Sequence, residues 1–259
     1  MIPKTEIIPT NIYEKYRKNQ PITILKHYNK LKEINKGYTY GYMFDASSVY
    51  SSMIEGNPID IDTYLKYKET GMNTGTKSFK EIQNLRNAYE FAKNRKLNFI
   101  NFLEAHKILS DNLTVEPKYK GQIRDKNVFI YSGTVKIYTG ASKEIVYNET
   151  NKLFNDISRL KKMQLTTHKL FYYASMIHLL IAKIHPFADG NGRIARLCEK
   201  WFIADTFNNH AWYIMSEKLY KQRIKSYYKN LNIGKTYEHT DFSLSIPFLK
   251  MLPMALRIK

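Results

Sequence analysis

The segment 185–196 constrains this chain more than any other. It reads His-Pro-Phe-Ala-Asp-Gly-Asn-Gly-Arg-Ile-Ala-Arg. A near-continuous apolar stretch, 170–184, leads into it, and a helical pattern, 196–207, leads out. Gly190, Asn191 and Gly192 permit a tight turn with positive φ, so backbone N–H groups can converge on one point. A helix starting there adds unpaired N–H groups and the positive end of its dipole, which together make a seat for an anion. Arg193 and Arg196 are three apart and share a helix face. Two cations in a first turn oppose the dipole, and no acid in that turn offsets them. They make sense if an anion sits there, and a polyphosphate is a good candidate. Asp189 supplies hard oxygen ligands suited to Mg²⁺ bridging phosphates. His185 can be neutral near pH 7 and can take a proton from an attacking hydroxyl. The plain alternative is a helix start with a Gly-rich turn and surface arginines. It leaves this combination of residues at these spacings unaccounted for.

A second stretch, 45–56, poses the mirror-image problem. Asp45 is a candidate N-cap for a helix ending at Gly56, with Pro58 just beyond. Glu55 then lies at the C-terminal end, where the dipole disfavours an acid. Two helix ends with the wrong charges could cancel by meeting. The intervening chain leaves that contact for the tertiary structure to decide.

The rest of the pattern is helical. Residues 11–17 and 22–34 have modest helical spacing, and 37–41 breaks the chain. Residues 59–70, 78–96, 144–162, 167–183 and 217–231 read as helices. Asn98 is an expected N-cap for 99–109, which carries His106, read as a satisfied structural histidine. Ser216 and Asp241 are the caps expected later in the chain. Residues 128–138 change to a hairpin pattern with Ser132-Gly133 at the turn. The stretch 170–184 carries Ser175, His178 and Lys183 and is too short to span a bilayer, so a buried core helix is expected. The N-terminus lacks a basic region followed by an apolar run, so no signal peptide is expected. The one cysteine, Cys198, excludes an internal disulfide and fits a reducing, cytoplasmic setting. Lys+Arg 41 against Asp+Glu 23 gives a net charge of +18, which attracts polyanions. The lysines are scattered, so a solvated basic surface is the plain reading. No phosphate-binding Gly-x-x-x-x-Gly-Lys-Ser/Thr occurs, which excludes a P-loop enzyme.

His-x-Phe-x-Asp-Gly-Asn-Gly-Arg-x-x-Arg resembles the signature of Fic proteins. Other stretches extend the resemblance. Gly121-Gln122-Ile123-Arg124 is similar to the opening of the family's flap. Ala174 to His178 is similar to the helix before the signature. Tyr227, Tyr228 and Leu231 are similar to a segment near the adenine. Ser51-Ser52-Met53-Ile54-Glu55-Gly56 resembles the inhibitory pattern of the class II type, in which the glutamate pairs with the second signature arginine, here Arg196.

The resemblance implies a mainly α fold, a helical bundle with one β-hairpin flap. It implies an N-terminal helical extension at 1–44 and a core at 45–250 that includes the inhibitory helix 45–56 and the flap 121–140, with a tail at 251–259. The implied activity is transfer of AMP from ATP to a Ser, Thr or Tyr hydroxyl of a target protein, with self-modification possible. His185 would be the catalytic base. Asp189, Gly190, Asn191, Gly192, Arg193 and Arg196 would bind ATP, with Asn191 on the α-phosphate oxygens, and Ile130, Tyr131 and Tyr227 would touch the nucleotide. Asp189 would hold Mg²⁺, and Glu55 and Ser51 would form the inhibitory element. Gly192, where some relatives carry lysine, favours AMP transfer over phosphoryl transfer. Two other readings stand beside this one. The first is a Fic enzyme acting mainly as a deAMPylase, with Glu55 positioning water. The second is a basic nucleic-acid-binding regulator with a vestigial Fic core, supported by the +18 charge and the Tyr/Lys interleaving at 220–229. No membrane partner is expected, and the oligomeric state is left open.

Overall fold

The computed structural model describes residues 4–20, 22–34, 37–111, 113 and 116–258. Its centre is an antiparallel helix pair, α8 (Thr167–Ile184) and α9 (Asn191–Thr206), joined by the segment 185–190. Almost every described position of α8 is buried, so the helix is apolar all round because it is enclosed all round. Thr166 caps it by accepting a hydrogen bond from Lys169 N–H. Cys198 lies inside α9, fully buried, and burial pushes its thiol pKa up, as suits a small core side chain.

Around this pair pack α1 (Tyr13–Lys18), α2 (Ile24–Ile34), α3 (Tyr40–Ile54), α5 (Lys77–Lys93), α6 (Phe99–Leu109) and α7 (Val146–Lys161). α10 (Ser216–Gln222), α11 (Ile224–Leu231), α12 (Ile246–Leu249) and α13 (Met251–Ala255) close the far side. α4 (Ile61–Thr70) packs with α3 and α5 in a satellite cluster of Val49, Ile59, Tyr64, Phe79 and Ile82. β1 (Phe129–Ser132) and β2 (Val135–Thr139) form one antiparallel hairpin. The fold is mainly α with a single hairpin, as the sequence implies. Among the described residues no helix is long and apolar enough to cross a membrane.

Several expected boundaries move, each for a physical reason. α3 starts at Tyr40, capped by Thr39, so Gly41 lies inside the helix rather than in a break. Asp45 is not an N-cap. It is buried in the second turn, where Lys68 Nζ at 2.8 Å and Arg86 Nε at 3.1 Å pair with its carboxylate. Two cations from neighbouring helices make that burial tolerable. The 1–44 extension is not separable. Ile8, Ile12, Tyr13, Tyr16 and Tyr28 join the main core. Asp156 also accepts the backbone N–H groups of Glu6, Ile7 and Ile8. The 251–259 segment is likewise no tail, because Met251, Leu252, Ala255 and Leu256 are buried. Ser216 is the first residue of α10 rather than its cap, and the expected 217–231 helix breaks at Arg223 into α10 and α11. Ser132 pairs with Val135, so the hairpin turn is Gly133-Thr134, one residue later than expected.

Candidate active site

α8 ends at His185, which adopts φ 55°, a left-handed conformation uncommon for a residue with a side chain. Several hydrogen bonds hold this strained link. His185 N–H donates to Ile181 O at 2.9 Å. Arg124 Nε–H donates to His185 O at 2.7 Å, and Arg124 N–H donates to Pro186 O at 3.0 Å. The other guanidinium donors of Arg124 go to the carbonyls of Lys126, Ala141 and Ile184. Arg124 is therefore a strap from the root of the hairpin to the end of α8. Its burial with only carbonyl partners lowers its pKa to about 10.

Two side chains shape the loop that follows. Asn191 accepts from Phe187 N–H at 2.9 Å and donates to Phe187 O at 2.8 Å. The Asn191 amide is buried and clasps the loop. His106, on α6, donates from Nε2 to Asp189 O at 2.9 Å and accepts at Nδ1 from Gly121 N–H at 3.1 Å. Its ring stacks on Phe187 with centroids 3.5 Å apart. It is a satisfied structural histidine, as expected, and it also ties the loop to the start of the flap region. Burial pushes its pKa down to about 4.

Gly190 takes φ 80° at the N-cap of α9, which permits the turn. α9 starts at Asn191, so the N–H groups of its first turn have no intrahelical acceptor. Arg193 donates to Asp189 Oδ1 at 3.1 Å, while its buried Nε–H has no acceptor among the described residues. His185 Nδ1 is 3.2 Å from Ala182 O, so Nδ1 carries the proton and Nε2 keeps its lone pair. Burial lowers the His185 pKa to about 4, with Arg124 adding to the shift and Glu55 and Asp189 opposing it, so the ring is neutral at pH 7.

Glu55 and Arg196 meet. Arg196 Nη2 donates to Glu55 Oε1 at 2.6 Å and to Ser51 O at 3.1 Å. Arg196 Nε donates to Ser51 Oγ at 2.8 Å, and Nη1 donates to Tyr227 Oη at 3.2 Å. Burial raises the Glu55 pKa, but the charges of Arg196 and Arg193 and the hydrogen bond outweigh it and hold the carboxyl below its ordinary range. A Cβ at Gly192 would collide with Glu55 Oε1, so the carboxylate lies directly on the first turn of α9. There Glu55 itself occupies the position an anion would take. The two misplaced charges of the sequence thus neutralise one another.

Residues 96–203 match the model of the Fic/DOC family. A search of curated proteins gave no match. Among solved structures the chain is similar to a Fic family protein from Desulfovibrio desulfuricans G20, with a TM-score of 0.72 at 20% identity, covering 99% of this chain and 74% of that one. It is also similar to a Fic domain containing signaling protein from Bacteroides thetaiotaomicron VPI-5482, with a TM-score of 0.63 at 21% identity, covering 95% and 91%. A third neighbour is Fic-1 from C. elegans, with a TM-score of 0.64 at 17% identity, covering 95% and 71%. At these identities the likeness is one of fold.

The Fic domain match begins at Lys96, so α3 with Ser51 and Glu55 lies outside it. Tyr227 also lies outside it. It is fully buried behind Arg196, with its hydroxyl between Arg196 Nη1 and His178 Nε2 at 3.0 Å. His178 Nδ1 in turn meets Glu199 Oε1 at 3.1 Å, and Tyr220 donates to both Glu199 oxygens. This buried chain sets the orientation of the Arg196 guanidinium from behind. The sequence signal for it was the set His178, Glu199, Tyr220 and Tyr227, which no local spacing connects. Tyr228, half-exposed, donates to Ile54 O at 3.0 Å and so touches the end of α3.

The hairpin is tied to the site at its root. Tyr138 donates to Lys183 O at 2.8 Å, and a Cβ at Gly140 would press on His185 Cβ, Arg124 and Ile184 O. Ile130 is half-buried, while Phe129, Tyr131, Val135 and Ile137 are exposed. For a metal, Asp189 offers Oδ2, since Oδ1 takes Gly190 N–H and Arg193. Among the described residues no three His, Cys, Asp or Glu side chains converge as a cage. One protein carboxylate suits Mg²⁺ only where phosphates and water complete its shell.

Proposed function

We propose that this protein is a protein adenylyltransferase restrained by Glu55. The observation that carries the reading is a neutral histidine with a free Nε2 beside a helix start bearing two arginines, the second of them held by a removable carboxylate. The substrates are ATP and a target protein with an accessible Ser, Thr or Tyr hydroxyl. The β- and γ-phosphates would lie on the first turn of α9, with the buried Nε–H of Arg193 and the Nη2 of Arg196 as donors. Mg²⁺ held by Asp189 would neutralise phosphate charge.

His185 Nε2 would accept the proton of the target hydroxyl. The hydroxyl oxygen would then bond to the α-phosphorus as the bond to pyrophosphate breaks. The backbone N–H groups of the α9 start would stabilise the charge that gathers on the α-phosphate. The exposed edge of β1 would receive an extended target segment by strand pairing and present its hydroxyl to His185, with Ile130 and Tyr131 flanking the nucleotide.

Glu55 would block this arrangement by occupying Arg196 Nη2. The other Arg196 partners, Ser51 and Tyr227, are buried, whereas the Glu55 side chain is 32% exposed. Removing Glu55 would therefore release the outward-facing donor and leave the guanidinium fixed in place. The test is incubation of wild type and Glu55→Gly with ATP labelled at the α-phosphate, Mg²⁺ and a cell lysate. Label transferred mainly by the variant supports the reading. Release of AMP from a labelled target by wild type and not by the variant would instead favour the deAMPylase reading. Of the aromatic residues behind the nucleic-acid reading, Tyr220 and Tyr227 are buried and offer no stacking face, which leaves it the half-exposed Tyr228.

A further inference from the structure

We propose, resting on that reading of Glu55 as the inhibitory group, that Lys221 is a positioning residue. Its ammonium caps the C-terminal end of α3 and so keeps the Glu55 carboxylate on Arg196.

The last four carbonyls of an α-helix have no intrahelical donor, and a cation placed there complements the helix dipole. α3 carries no basic residue in its last turn, and Glu55 follows as its C-cap. The donors come from elsewhere in the fold. Ser51 O accepts from Arg196 Nη2 at 3.1 Å. Ser52 O accepts from the N–H groups of Glu55 at 3.0 Å and Asn57 at 3.1 Å. Met53 O accepts from Gly56 N–H at 3.3 Å and from Lys221 Nζ at 2.8 Å. Ile54 O accepts from Tyr228 Oη at 3.0 Å. All four carbonyls are therefore partnered, three of them by side chains of α9, α10 and α11.

Arg196 is the group that Glu55 restrains, and Tyr228 is a neutral donor. Lys221 brings a full charge to the helix end from outside the anion seat. Its own placement is fixed. Glu217, four residues earlier on the same face of α10, is fully buried and pairs with Lys200 Nζ at 2.8 Å. Lys200 in turn donates to Ser47 Oγ of α3 at 2.6 Å. Tyr89 donates to Glu217 as well. This buried network sets α10 against α3, and Lys221 then reaches the Met53 carbonyl, two residues before Glu55.

Without Lys221, the Met53 carbonyl keeps only the longer bond from Gly56. The last turn of α3 then opens more often, and Glu55 spends more time away from Arg196. One hydrogen bond of this kind shifts such an equilibrium by about threefold to tenfold.

The test is a mutant cycle on the full chain, with ATP labelled at the α-phosphate, Mg²⁺ and a cell lysate. It compares wild type, Lys221→Met, Lys221→Arg and Glu55→Gly with the double variant of Glu55→Gly and Lys221→Met. Methionine keeps an unbranched stem, and arginine keeps a cationic donor. Lys221→Met should raise transfer about threefold to tenfold over wild type. Lys221→Arg should stay within about twofold of wild type, and Lys221→Met should leave the rate of Glu55→Gly within about twofold. No rise over wild type, or a rise of the same size in both backgrounds, would overturn the proposal. Amide hydrogen exchange checks the cap without any transfer. The N–H groups of Glu55, Gly56 and Asn57 should exchange about threefold to tenfold faster in Lys221→Met, while those of α8 keep their rates. Unchanged exchange at these three amides would also overturn the proposal. No transfer by Glu55→Gly would count against the adenylyltransferase reading, and the exchange result would then uphold or overturn the cap by itself.

Discussion

Arg196 Nη2 lies 2.6 Å from Glu55 Oε1 although 141 residues separate them. The guanidinium is fully buried and the carboxylate partly exposed, so the pair is asymmetric. Removing Arg196 would strand its buried partners. Removing Glu55 opens a donor toward solvent. Glu55→Gly should therefore raise AMP transfer by at least about tenfold, or 1.4 kcal/mol of barrier, with the fold intact. Labelling rates of the two proteins at equal concentration check this, and equal rates would reject inhibition by Glu55.

His185→Ala should lower transfer by about 10²- to 10⁴-fold while ATP binding changes little. Calorimetric titration with ATP, done in the Glu55→Gly background, separates the two effects. Turnover within a few-fold of the parent would exclude His185 as the base.

The pH dependence follows from the His185 pKa of about 4. As a base it acts only when unprotonated, so the rate of Glu55→Gly should hold level from about pH 7 to about pH 5. Removing Glu55 takes away a charge that raises the His185 pKa, which moves the limb lower still. An acid limb near the ordinary histidine value of 6.5 would contradict this assignment.

His106 gives a stability signature. Its folded pKa, about 4, lies below its ordinary value of 6.5, so its contribution is present above pH 6.5 and lost as pH falls through 4. That loss is on the order of 3 kcal/mol at full protonation. Melting temperatures between pH 7 and 4 should fall less steeply in His106→Gln than in wild type, with His185 supplying part of the slope that remains. Parallel slopes would show that His106 is not the titrating group.

Tyr227→Phe removes the hydroxyl shared by Arg196 and His178 and leaves two buried groups short of a partner. The expected cost is about 1–3 kcal/mol, read from urea midpoints. An unchanged midpoint would mean that water replaces the hydroxyl.

Much of the site was legible in the sequence because it is local. Residues 185–196 carry their own turn, helix start and charges, and Glu55 was conspicuous for sitting at the wrong helix end. The hairpin and most helices followed from apolar spacing and caps such as Asn98, which does accept from Asn101 N–H. Asp45 misled, because a residue that caps helices in isolation is equally good at pairing with two cations once α4 and α5 bring Lys68 and Arg86 beside it. The Asn191 clasp on Phe187 was not legible, since nothing in the local pattern says that its amide bonds the backbone of the loop itself.

The sequence by itself determined the glycine turn, the helix start with its two arginines, the candidate base and the two unbalanced helix ends, since each depends on residues within a turn or two of one another. Only the tertiary structure decided that Glu55 lies on Arg196, that Tyr227 supports the guanidinium from behind, and that Arg124 straps the strained His185. Those contacts join elements far apart in the chain, and packing around α8 and α9, rather than any local preference, fixes which side chains meet.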